Sequence, residues 1–70
     1  MKKAPYMGWN YIGDTQLDFH GYGRGEIEEV YIADTDIDVK EMFHSLGIWD
    51  KVEEAGDEAY YYHTTGATRR

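Results

Sequence analysis

The chain reads as a small α+β domain: an antiparallel sheet of three to four strands with one short amphipathic helix packed on one face, in the order β-β-β-α-β. Three observations predict it. Residues 9–34 hold short runs of alternating polarity broken by glycines, residues 39–46 switch to helical spacing, and residues 58–65 return to aromatic and threonine-rich sequence.

Residues 9–12 and 16–20 make the first two strands, separated by the tight-turn sequence Gly13-Asp14-Thr15. In the second strand Leu17 and Phe19 share one face, and Asp18 and His20 share the other. Glycines at 21, 23 and 25 in GYGRG mark a turn with left-handed backbone. EIEEVYIAD, residues 26–34, is the third strand. Strict alternation sends Val30 and Ile32 one way, and Ile27, Glu29 and Tyr31 the other.

From Val39 the period changes. Val39, Met42, Phe43 and Leu46 follow the i, i+3, i+4, i+7 spacing of a two-turn amphipathic helix, and Gly47 stops it. Asp38 fits the N-cap, Glu41 completes a capping box and Ile37 can staple to Met42, a cap worth about 1 kcal/mol. Asp50 and Glu53 repeat that spacing in IWDKVEEAG, which adds one more turn ending at Gly56. EAYYYHTT, residues 58–65, is expected as the last strand.

Seventy residues form one domain, 1–70, with frayed ends at about 1–5 and 66–70. A core this size supplies only about 3–5 kcal/mol. Without cysteine there is neither a disulfide staple nor a Cys/His zinc site. That balance favours a protein that works in a complex. The lysines at 2 and 3 are followed by no apolar run of signal-peptide length, and nothing approaches the ~20 apolar residues of a membrane span, so a cytoplasmic location is expected.

Charge is the most informative global property. Formal net charge is −7, and residues 14–58 hold all fourteen acids with only Arg24, Lys40 and Lys51, a net of −11 for that stretch. Direct contact with nucleic acid needs Lys and Arg where this chain has Asp and Glu, so it is disfavoured. An acidic body attracts basic surfaces over roughly 8–10 Å at physiological salt.

No motif names a reaction, and no enzyme activity is expected. Asp34, Asp36 and Asp38 suggest a metal loop, but an EF-hand starting at Asp34 needs Gly and Glu where Val39 and Ser45 stand. His20, His44 and His63 lack metal-site spacing, no nucleophile has a candidate base, and GYGRGE breaks the phosphate-loop pattern. No catalytic, metal or cofactor residue is assigned.

What remains is an interface. Glu26, Glu28, Glu29, Asp34, Asp36, Glu54 and Asp57, with Tyr31, Trp49, Tyr60 and Tyr62, are the expected partner-binding residues: carboxylates at the rim, Tyr and Trp as anchors. The expected role is a non-enzymatic protein that binds and inhibits or modulates a basic, nucleic-acid-handling partner protein. In size, charge and aromatic content the chain resembles, at the level of a class, the nucleic-acid-mimicking inhibitors that phages and mobile elements direct against host defence or transcription. A structural subunit, homodimeric through the tyrosine-rich strand, is the alternative.

Overall fold

The computed structural model describes residues 3–67 and has the α+β class expected, in the order β-β-β-α-α. Strands β1 (Tyr6–Ile12), β2 (Thr15–Gly21) and β3 (Ile27–Ile32) form one antiparallel sheet with β2 in the centre. Helices α1 (Lys40–Ser45) and α2 (Trp49–Thr65) follow. Among these residues no helix is long and apolar enough to cross a membrane.

Alternation places Leu17 and Phe19 of β2 in the core, as expected, with Asp18 and His20 on the opposite face. Two bulges break the alternation in the neighbouring strands. At β1 the register skips Met7, so Met7 and Gly8 are both buried. At β3 it skips Glu28, which turns Ile27 into the core beside Val30 rather than outward with Glu29 and Tyr31. A bulge of this kind leaves no mark on a two-residue repeat.

The main correction is at the C-terminus. Residues 58–65 are not a strand but the second half of the 17-residue α2, and so offer no sheet edge through which a second copy could pair. Nor does Gly56 end a helix; it lies buried in the middle of one. A Cβ there would stand 2.5 Å from Ile27 Cδ1 and 2.9 Å from Phe19 Cδ1. Val52, Gly56 and Ala59 therefore form the buried side of α2 against the sheet. Gly66, at φ 72°, ends the helix, donating its N–H to the Tyr62 carbonyl.

The second correction concerns α1. Val39 and Phe43 are buried, but Met42 and Leu46 of the same predicted face are 49% and 63% exposed. The helix has only six residues and leans on the end of β3 and on α2, so the covered side is one residue wide. Val39 occupies the N-cap position without a side-chain bond, while Asp38 Oδ1 accepts the Lys40 N–H at 2.9 Å. Asp50 falls inside the first turn of α2, where a carboxylate favours the helix dipole.

The segment after β3 folds back along its outer edge. Val39 N–H donates to Val30 O, Ile32 N–H donates to Ile37 O, and Lys40 Nζ donates to the carbonyls of Ile27 and Glu28. Residues 3–5, expected to fray, are tied to the sheet: Pro5 O accepts the Gly21 N–H and Ala4 is buried. Of the expected C-terminal fray, residues 68–70 lie outside the described residues.

Candidate protein-binding surfaces

The three aspartates of DTDID have separate local tasks. Asp34, at φ 64°, is the only non-glycine with a positive φ among the described residues, supplying the left-handed position of the turn after β3. Asp36 pairs with Lys3 at 2.8 Å. Asp38 Oδ1 accepts the Lys40 N–H from just before the N-cap residue of α1. Among the described residues, no three His, Asp or Glu side chains are grouped to hold a metal ion.

The expected partner-binding residues fall into two groups on opposite sides of the molecule. The first lies on α2. Glu54 and Asp57 are on its outward side, while Tyr60 packs against the core from one flank and Tyr62 lies beside Tyr6, Gly8 and Trp9 of β1 on the other. Glu54, Asp57, Tyr60 and Tyr62 line an open cleft of about 710 Å³ together with Asp50, Glu53, Glu58, Tyr61 and Arg24. Helical spacing aligns Asp50, Glu54, Asp57 and Tyr61 in one stripe. Asp57 has a structural task as well, accepting the Gly25 N–H at 2.9 Å and so holding the β2–β3 loop against α2. Glu58 accepts from Asn10 Nδ2 at 2.8 Å.

The second group lies on the face of the sheet opposite α2. Glu29 and Tyr31 of β3 project here beside His20, with Asp36 at the rim. Lys3 Nζ sits 4.3 Å above the centre of the Tyr31 ring while bonded to Asp36. The hydrogen bond to Lys3 holds the Asp36 carboxyl below its ordinary value, and the same bond raises Lys3. Desolvation, then the Glu29 charge, raises the Tyr31 phenol.

The remaining four stand apart. Glu26 is exposed in the β2–β3 loop, Glu28 is exposed at the β3 bulge, and Asp34 is in its turn. Trp49 is half-buried at the start of α2, stacked on His44 with ring centres 4.3 Å apart.

Asp50, Glu53, Glu58 and Tyr61 join the α2 surface although none of them is among the expected partner-binding residues, Asp50 and Glu53 having a capping role in the sequence reading. Acids at 50, 53, 54 and 57 have the i, i+3, i+4, i+7 spacing of one helix side, a signal masked by reading Gly56 as a stop.

Comparison with protein-family models, curated proteins and solved structures finds no match to this chain.

Proposed function

We propose that the protein is a non-enzymatic acidic binding protein that docks on a basic, nucleic-acid-handling partner protein and inhibits or modulates it through the outward side of α2. The observation carrying this reading is the run Asp50, Glu53, Glu54, Asp57 and Glu58 beside Tyr60 and Tyr61. None of these five carboxylates is in an ion pair among the described residues, where the one pair is Lys3–Asp36.

Spacing supports it. From Asp50 to Glu58 the helix rises about 12 Å, so successive charges are roughly 3 Å apart along its axis. One DNA strand carries a charge every ~3.4 Å, and a duplex one every ~1.7 Å. The stripe therefore matches one strand rather than a duplex. Tyr61, 55% exposed at its end, supplies an aromatic anchor at low entropic cost.

The test uses immobilised wild-type protein and the Glu53→Lys/Glu54→Lys variant, each exposed to host lysate and eluted on a rising salt gradient, with mass spectrometry of the eluate. A nucleic-acid-binding protein released from wild type at moderate salt, and absent from the variant, is the expected result. Equal capture by both proteins would reduce the stripe to a solubilising surface.

A further inference from the structure

The sheet face opposite α2 has chemistry of its own. Outward side chains of the three strands include Trp9 and Tyr11 from β1, Asp18 and His20 from β2, and Glu29 and Tyr31 from β3, with Tyr6 of β1 at the margin, where its ring also meets His63 of α2 at 5.2 Å. The strands contain no Lys or Arg. Tyr6 and Tyr11 are 42% and 51% exposed. Tyr6, His20 and Tyr31 touch edge to face in sequence, with centres 5.6 and 5.4 Å apart.

One end of this face already holds an extended segment with a cation, the chain's own residues 3–4. Lys3 Nζ lies over the Tyr31 ring and bonds Asp36, Ala4 N–H donates to Glu29 Oε1 at 3.0 Å, and His20 Nδ1 donates to Ala4 O at 2.8 Å. Ring, carboxylate and imidazole thus recognise ammonium, backbone N–H and backbone carbonyl together. The rest of the face repeats the first two elements. Trp9, Asp18 and Tyr31 stand in register across the three strands, a carboxylate between two aromatic side chains. Neighbouring strands are about 4.7–4.9 Å apart, so at the backbone the two aromatic positions stand roughly 9–10 Å apart with Asp18 midway between them. Asp18 forms no hydrogen bond or ion pair among the described residues.

We infer that the Trp9–Asp18–Tyr31 row is a docking seat for an arginine or lysine side chain on an extended basic segment of a partner protein, next to the place Lys3 fills. Charge selects this occupant. A nucleic acid would bring phosphates to a face bearing Asp18 and Glu29, and a second copy would bring the same carboxylates. The inference does not rest on the α2 stripe, which points the other way.

The experiment titrates isotope-labelled full-length protein with a capped octapeptide of alternating Arg and Thr, read by NMR shifts residue by residue. The expected result is saturable shifts at Trp9, Asp18, His20 and Tyr31, weakened about fivefold by Asp18→Asn and unchanged by Glu53→Lys/Glu54→Lys. Shifts confined to α2 would overturn the seat while leaving the proposed function standing. Unaltered affinity of Asp18→Asn, absence of saturable binding, or a stronger response to an eight-nucleotide oligothymidine would each overturn it as well.

Discussion

Gly8 and Ala59 meet where α2 crosses β1, with no room for a side chain between them. A Cβ built on Gly8 falls 2.5 Å from the Ala59 carbonyl oxygen and 2.8 Å from its carbonyl carbon. Backbone cannot swing aside as a side-chain tip can, and Gly8 also holds φ at 126°. Gly8→Ala is therefore expected to cost about 2–4 kcal/mol, combining overpacking with a disfavoured backbone. Gly13→Ala, at φ 60° with nothing within 4 Å, isolates the backbone part and should cost about 1 kcal/mol. Urea denaturation of the two variants checks the difference; equal losses would mean that the helix–sheet contact is not close.

The tether between Asp57 and the Gly25 N–H makes a local prediction. Asp57→Ala should cost about 0.5–1.5 kcal/mol and speed hydrogen exchange at Gly25 while leaving β2 and β3 protected. Unchanged exchange at Gly25 would show that the loop is held by other contacts.

For the Lys3–Asp36 pair the sign follows from the two shifts. Asp36 is lowered from 3.8, so its contribution is present above that pH and lost as pH falls through the lower folded-state value. Lys3 is raised from 10.5, so its contribution is present below that pH and lost as pH rises through the higher folded-state value. Carboxyl-carbon NMR should place the Asp36 midpoint below 3.8 in wild type and return it toward 3.8 in Lys3→Ala. A wild-type midpoint at or above 3.8 would contradict the pairing.

The narrow covered side of α1 predicts an asymmetry. Phe43→Ala should destabilise by about 3–5 kcal/mol, whereas Leu46→Gln, on the exposed side, should stay within about 0.5 kcal/mol. Thermal unfolding distinguishes them, and a large loss at Leu46 would mean that the face is covered.

The sheet was legible because strand alternation is a local signal that a buried face enforces; Leu17 and Phe19 stand where period two puts them. Ile27 was not, because a bulge inserts one residue without changing composition. Tyr60, Tyr61 and Tyr62 favour strands by propensity, yet Val52 and Ala59 bury the helix side they share. Here tertiary packing outweighs local preference, and Gly56 serves close approach rather than termination. Glu54, Asp57 and Tyr60, grouped in the sequence by residue type, do line one surface. Their separation from Glu29 and Tyr31 was not legible, since that follows only from α2 covering the other face of the sheet.

Because Val30 and Ile32 exchange backbone bonds with Val39 and Ile37, the chain occupies one margin of its own sheet and leaves β1 as the other. A foreign strand adding at β3 would first have to displace these bonds, so among the described residues that side of the sheet is closed to growth into a ribbon or fibril.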